Sequence, residues 1–256
     1  MVDIFLKNFY AHTTLFCIQR RKGFLKKIII EKEIFDICPD FYRGLVVVSD
    51  LTNHKSYKRI RKLLKSEIDR QASTAIATDP RIEAWETAHR KFGSLPEQYP
   101  PSIKSLLLRI KENPALPFIN SAVALFNYIS LKYRLPCGGD DVESIEGNLV
   151  LGLSDGTEKF VALGSDREIS PKTGEVIYYD SATKNVMCRR WNWRNGDQTK
   201  IEPETKKIVI NIDCLLPTDS ETGNRARDEL AELLVTHCQA TVSAHALHSE
   251  CREMEI

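Results

Sequence analysis

A single α/β domain built on mixed β-sheets is the fold class this chain predicts, and three observations predict it. β-branched runs stand near the start, a block of helical patterns fills the centre, and short apolar runs then recur at regular intervals between turn-rich segments. A doubly wound parallel sheet would alternate strand and helix throughout, and that alternation is missing. At 256 residues the chain can bury one large core, and 42% hydrophobic with 28% charged residues is ordinary for a globular protein. No apolar run reaches the length needed to cross a bilayer.

Taken in order, residues 1–26 mix Lys7, Arg20, Arg21, Lys22 and Lys26 with interrupted apolar residues. They lack the apolar region and small-residue cleavage site of a signal peptide, so an N-terminal extension of unassigned role is expected before a domain over 27–256. β-branched runs predict buried strands over 28–30 and 44–48. Tyr57, Ile60, Leu64 and Ile68 recur at helical spacing, with Lys55, Lys58, Arg59, Arg61, Lys62 and Lys65 on the remaining faces. This basic amphipathic helix reads either as a solvated face or as a landing strip for phosphates. Asp79-Pro80 opens a helix that runs through Trp85 and His89 to a stop near Gly93, and Pro100-Pro101 opens another over 103–111.

The segment 116–133 places Val123, Phe126, Ile129 and Tyr133 on one helical stripe, with Asn120 and Asn127 on nearly the same side. Two carboxamides so placed either serve a ligand or cap the helix and bond a neighbouring strand. Leu135 to Asp141 reads as a glycine-rich turn in which Gly138 and Gly139 permit close backbone approach. Asp140 and Asp141 accept hydrogen bonds from an amine or cap the next turn. Short strands are predicted over 149–153, 160–163, 176–179, 186–193 and 208–212, then a helix over 225–239 and a terminal strand over 241–247.

The block from Cys188 to Thr199 carries the densest chemistry. Arg189, Arg190 and Arg194 offer planar donor forks suited to carboxylates and phosphates, and Trp191 and Trp193 offer flat faces for stacking. As an extended strand it would set Arg190, Asn192 and Arg194 on one face and Arg189, Trp191 and Trp193 on the other. The alternative is a strand whose tryptophans are core and whose arginines sit in structural ion pairs. The formal charge of +1 confines any nucleic-acid contact to a local basic patch. Seven cysteines with no Cys-x-x-Cys pair argue against a disulfide framework and a zinc ribbon, and suit a reduced, cytoplasmic compartment. His245-x-x-His248 with Glu250 and Cys251 has metal-like spacing in an expected tail, where it reads as accidental; no metal or cofactor is expected.

The run from Phe118 to Leu131, the turn from Pro136 to Ile145, Ile145-Glu146-Gly147 and Glu204 to Ile210 resemble the B3/B4 domain of the phenylalanyl-tRNA synthetase beta chain, over roughly 116–216. Asn127-Tyr128 on a helix, followed by the turn and Ile145-Glu146-Gly147, is the most specific part of the likeness. The resemblance implies a three-layer fold of two sheets and a helical layer, B3/B4-like, and hydrolysis of a mischarged tyrosine from phenylalanine tRNA. No motif of the synthetase catalytic domain is present, so the likeness is to the editing module alone. Departures matter as much. Where the synthetases carry a histidine after the central helix this chain has Gly138, and the glutamate that reads the tyrosine hydroxyl aligns near Asp197.

An aminoacyl ester is activated, so a placed water and backbone N–H donors suffice to cleave it. The expected catalytic groups are the backbone of Gly138 and Gly139 with Asp197, which holds the substrate amine or a water. Asn120, Asn127, Arg189, Arg190, Trp191, Asn192, Trp193, Arg194 and Thr199 are the expected binding residues for an aminoacylated tRNA 3′ end, with no membrane and no obligate protein partner. The leading function is a free-standing editing hydrolase. The alternatives are a non-catalytic tRNA-binding module, or an amino-acid or small-molecule binding protein that kept the pocket.

Overall fold

The computed structural model describes residues 26–54, 57–76 and 78–256, so the extension expected over 1–26 lies outside the described residues except for Lys26, and Lys55 lies outside them too. The first half comprises β1 (Lys27–Ile30), α1 (Lys32–Ile37), β2 (Tyr42–Ser49), α2 (Lys58–Ala72), α3 (Pro80–Lys91), α4 (Ser102–Glu112) and α5 (Ser121–Tyr133). Then come β3 (Cys137–Asp141), β4 (Leu149–Leu153), β5 (Phe160–Val161), β6 (Glu168–Ile169), β7 (Val176–Asp180) and β8 (Val186–Arg189). The chain continues through β9 (Arg194–Asn195), β10 (Ile208–Cys214), α6 (Ser220–Cys238), β11 (Thr241–Leu247) and β12 (Glu253–Glu255).

These strands form one sheet in the order β12-β1-β4-β7-β8-β9, a second in the order β11-β2-β10-β3, and the small ribbon β5-β6. Only β1 and β4 pair in parallel; every other described pair is antiparallel. The mixed α/β class expected from the sequence is what the chain adopts.

Alternation along β2 sets the layers. Arg43 lies 5.2 Å from the ring of Tyr178 on β7, so its side faces the larger sheet. The next residue, Gly44, faces the helices: a Cβ there would stand 3.3 Å from the Cβ of Arg227 on α6. One sheet therefore packs on the other, and α6 covers the outer face of the smaller one. Apolar residues from both sheets and the helices, among them Ile28, Val46, Leu125, Leu151, Ile210 and Leu230, join one core.

Local chemistry explains where the helices begin. Asp79 accepts from the N–H of Arg81 with Pro80 in the first turn, as the Asp-Pro pair predicts. Asn120 caps α5 by accepting from Val123 N–H at 3.0 Å and donates to the Ile201 carbonyl at 2.8 Å. The central helix thus starts at Ser121, five residues later than the apolar pattern suggests.

Two sequence expectations are corrected. The segment 135–141, expected to be a turn, contains β3, because its residues pair with β10 from Cys137↔Ile212 to Asp141↔Ile208. The strand expected over 186–193 ends at Arg189, because Arg190 and Trp191 take left-handed backbone angles, φ 48° and 65°. That reversal breaks the two-faced alternation expected for the Arg/Trp block. His245 lies in β11, within the strand expected over 241–247, and His248 lies in the bridge that follows it.

Charge sits at the seam between the sheets. Arg43 and Asp213 stand opposite each other on β2 and β10, and Nε and Nη2 donate to the two carboxylate oxygens at 2.7 and 2.9 Å. Both side chains are 1% exposed. Removing one partner leaves a buried charge without compensation, which costs about 3–5 kcal/mol. Asp213→Ala is expected to lose about that much stability in urea denaturation; a loss under about 1 kcal/mol would mean that the pair does not hold the seam.

Candidate functional site

A cavity of about 60 Å³ opens where the two sheets face each other. Its walls are two rows of residues in register. On the larger sheet, Tyr178, Cys188 and Asn195 stand side by side across β7, β8 and β9. On the smaller sheet, Gly138 pairs with Asn211, next to Arg43 and Asp140. Trp191 and Asn192 close one end, and Asn195 is exposed, so the cavity reaches the surface there.

Edge strand β3 supplies backbone as well as side chains. A Cβ on Gly138 would meet nothing within 4 Å, whereas one on Gly139 would stand 3.1 Å from Ile201 and Ile210. The side-chain direction at 138 therefore opens on free space while 139 faces the packed side. Antiparallel pairing turns the amides of Gly138 and Asp140 toward β10 and those of Gly139 and Asp141 toward the free edge, where the Asp141 N–H already donates to Thr199 O at 2.9 Å.

Asp140 sits on the cavity side, and Thr199 Oγ1 donates to its carboxylate at 2.6 Å. Burial pushes this carboxyl up to about 6, against the pull of Thr199 and Arg43. Burial likewise raises the thiols of Cys137 and Cys188, which stay protonated at neutral pH, and the phenol of Tyr178. Three buried atoms of the cavity walls have no hydrogen-bond partner among the described residues: Arg43 Nη1, Tyr178 OH and Asn192 Nδ2. Buried polar groups of this kind ordinarily find partners, so three without one at a single seam set its walls apart from the rest of the core.

The Arg/Trp block builds the end wall. Trp191 is buried among Phe41, Trp85 and Phe92, and its Nε1 donates to Asp213 at 3.2 Å. Arg189 forks onto Glu175 at 2.7 and 2.6 Å, and Arg190 lies 3.5 Å from the same carboxylate with its guanidinium 3.7 Å above the Tyr99 ring. Trp193 packs edge-on against Tyr99, and Arg194 is exposed. The structural ion-pair alternative describes Arg189 and Arg190, leaving Arg194 as the arginine of the block that faces solvent.

Of the residues expected in the site, Gly138, Gly139, Trp191 and Asn192 line the cavity, and Thr199 stands behind Asp140. The others lie elsewhere. Asn120 is a helix cap, Asn127 is half-buried on α5, and the carboxylate of Asp197 accepts from Gly164 N–H at 2.9 Å and Lys200 Nζ at 3.0 Å. The Gly164 amide and Lys200 hold the Asp197 carboxyl below the ordinary carboxylate range. The sequence reading missed Arg43, Tyr178, Cys188, Asn195 and Asn211. A charged residue inside an apolar strand, as in Tyr42-Arg43-Gly44-Leu45 and Ile212-Asp213-Cys214, was the available signal. Among the described residues no group of three or more His, Cys, Asp and Glu can hold a metal ion, and no helix is long and apolar enough to cross a membrane.

Asp140 gives the cavity a pH signature. Its folded value of about 6 exceeds the usual 3.8, so the fold favours the neutral carboxyl; that stabilisation is complete below pH 4 and disappears as pH rises through 6. Asp140→Asn keeps an acceptor for Thr199 and removes the titration. It is expected to match the parent at pH 4 and exceed it by up to roughly 3 kcal/mol at pH 7 in urea melts; parallel pH profiles would contradict the assignment.

Comparison with known proteins bears on the same region. A family model described as the B3/4 domain matches residues 84–239, more than half of the chain. The phenylalanine–tRNA ligase beta subunit of Fusobacterium nucleatum subsp. nucleatum is 23% identical over 208 residues, covering 78% of this chain and 25% of that protein. The chain thus spans about a quarter of the length of the curated relative it matches. A crystal structure of an N-terminal fragment of the phenylalanyl-tRNA synthetase beta subunit from Pyrococcus horikoshii aligns with a TM-score of 0.46 at 14% identity, covering 86% of this chain and 52% of that one. With the family model spanning all of β3, the cavity's end wall and all of α6, the chain belongs to the B3/4 domain family.

Proposed function

We propose that this protein is an editing-type hydrolase that cleaves the ester joining an amino acid to the 3′ end of a tRNA. The observation that carries the proposal is the inter-sheet cavity of a B3/4 domain, which brings the buried carboxyl of Asp140 and the backbone of the edge strand β3 together. In the reaction, water oxygen bonds to the ester carbonyl carbon and the bond to the ribose oxygen breaks. The ribose oxygen takes a proton and the amino acid leaves as a carboxylate. Asp140, with its carboxyl near 6, is matched to taking the proton from water at neutral pH and passing it to the ribose oxygen. The edge amide of Gly139 is the donor for the developing oxyanion. Covalent catalysis by Cys137 or Cys188 is disfavoured, since burial keeps both thiols protonated.

Gly138 offers a direct test. A side chain there meets open space on the cavity side, so Gly138→Leu should fold normally and obstruct the substrate. Deacylation of a sensitive mischarged tRNA is expected to fall at least about tenfold, equivalent to roughly 1.4 kcal/mol of transition-state stabilisation. An unchanged rate in a well-folded variant would move the reaction away from this cavity.

A second reading, a tRNA-binding module without catalysis, is favoured by Gly138 in place of the expected histidine and by the basic face of α2. Lys58, Arg59 and Lys62 are exposed in the first turns of α2, and that first turn has no acidic residue. Positive charge there opposes the helix dipole, a local cost that phosphate contacts would offset. Replacing all three by Gln should weaken tRNA binding and flatten its dependence on salt; an identical salt slope would return α2 to a solvated surface. Deacylation by the parent protein decides between the two readings.

A further inference from the structure

We propose that the free edge of β11 is a self-association surface, along which two copies of this chain pair antiparallel, join their smaller sheets into one and set their α6 helices side by side. In the order β11-β2-β10-β3, β11 and β3 are the outer strands. An outer strand offers unpaired N–H and C=O groups to any further strand, and natural sheets blunt such edges with charge, shortness, proline or cover. The other edges of the two main sheets are blunted in these ways. β3 carries Asp140 and Asp141 and is covered where the Asp141 N–H donates to Thr199 O at 2.9 Å. β12 has three residues, two of them Glu253 and Glu255, and β9 has two, one of them Arg194. β11 runs for seven residues, Thr-Val-Ser-Ala-His-Ala-Leu, without Asp, Glu, Lys, Arg or Pro.

The ladder shows which groups face outward. Val142 N–H donates to Lys207 O and Asp213 N–H to Pro136 O, so β10 turns Val209 and Asn211 to β3 and Ile208, Ile210 and Ile212 to β2. Alternation then turns Leu45 and Val47 of β2 to His245 and Ser243, and the N–H and C=O groups of Val242 and Ala244 point off the sheet. Among the described residues nothing pairs with them. A twofold axis through Ser243 satisfies them: Val242 of each copy exchanges hydrogen bonds with Ala244 of the other, serine meets serine, and Thr241 meets His245. This register stops short of the bridge from His248 to Cys251, which closes the end of the edge.

The helix layer argues for a second copy as the occupant. Glu229 of α6 accepts from Tyr128, Lys132 and Tyr133, so α5 lies on that side of α6. Helical geometry turns Ala231 and Val235 away from α5, and Val235 is 51% exposed. Arg227 places α6 over both β2 and β11, since its Cβ would stand 3.3 Å from a Cβ on Gly44 and its Nη1 donates to His245 O at 3.2 Å. With strands about 4.8 Å apart, the two α6 helices of the joined sheet lie about 10 Å apart, the separation at which helices pack. A second copy thus brings an uncharged strand for the edge and an apolar helix side for Ala231 and Val235 together.

Sedimentation equilibrium of the full chain over a concentration series tests the proposal. The parent is expected to dimerise reversibly. Ala244→Lys sets an exposed charge on the edge, so it should keep the parent's circular dichroism and weaken dimerisation at least about tenfold. Ser243→Cys gives a second reading. Non-hydrogen-bonded partners stand about 4.5 Å apart between Cα atoms, within disulfide reach, so mild oxidation should cross-link two Ser243→Cys chains in a Cys251→Ser background, whereas Ser249→Cys should stay uncross-linked. If Ala244→Lys fails to fold, the cross-link decides alone. A parent that is monomeric throughout, a dimer that Ala244→Lys leaves intact, or cross-linking at Ser249→Cys but not at Ser243→Cys overturns the proposal.

Discussion

The buried pair between Arg43 and Asp213 is the constraint on which the site depends. Asp213 receives Nε and Nη2 of Arg43 from the neighbouring strand and the indole N–H of Trp191 from the β8–β9 turn, so one carboxylate ties both sheets together. Burying two charges is expensive, and the cost is met only when hydrogen bonds satisfy most of their polar atoms. Here the guanidinium also lies near the rings of Phe41 and Tyr178, at 5.6 and 5.2 Å. The pairing keeps a polar floor at a seam that aliphatic residues would otherwise close, and it leaves Arg43 Nη1 without a hydrogen-bond partner among the described residues. A fold stabilised by apolar burial thereby retains one small polar cavity at its centre.

The end wall follows from the same carboxylate. Trp191 reaches Asp213 only because the chain reverses through left-handed angles at Arg190 and Trp191, a conformation that costs on the order of 1–3 kcal/mol at a bulky residue. Burial of the indole among Phe41, Trp85 and Phe92 offsets that cost, as does the paired hold of Arg189 and Arg190 on Glu175. The reversal brings Asn192 to His89 and the N-terminus of α4. Arginines and tryptophans that suggest nucleic-acid contact when read as a strand thus work as the frame of a pocket.

Much of the fold was legible in the residues. β-branched runs located β1, β2, β4, β7 and β10, Asp79-Pro80 marked the start of α3, and helical spacing located α2, α5 and α6. What escaped was non-local. β3 is Cys-Gly-Gly-Asp-Asp, a composition that spells a turn, and it is a strand because β10 pairs with it residue for residue. The Arg/Trp block has alternating character, yet a tertiary anchor for Trp191 reverses the chain within it. The site was half visible: glycines in a flexible-looking segment pointed to Gly138 and Gly139, while Arg43 and Asp213 are 170 residues apart and meet only across strands. Asp197 drew notice through the family resemblance, but its carboxylate accepts from the Gly164 amide instead.

The proposed reaction takes place between the sheets, where β3 meets the row Tyr178, Cys188 and Asn195. A crystal structure of the full chain with an aminoacyl-adenosine analogue, its ester replaced by a non-hydrolysable amide, tests that proposal most directly. The account predicts the amino-acid side chain beside Tyr178 and Asn192 and the amide carbonyl at the edge of Gly139, with the adenosine leaving past Asn195. Analogue bound elsewhere on the protein, with the cavity empty, would contradict it.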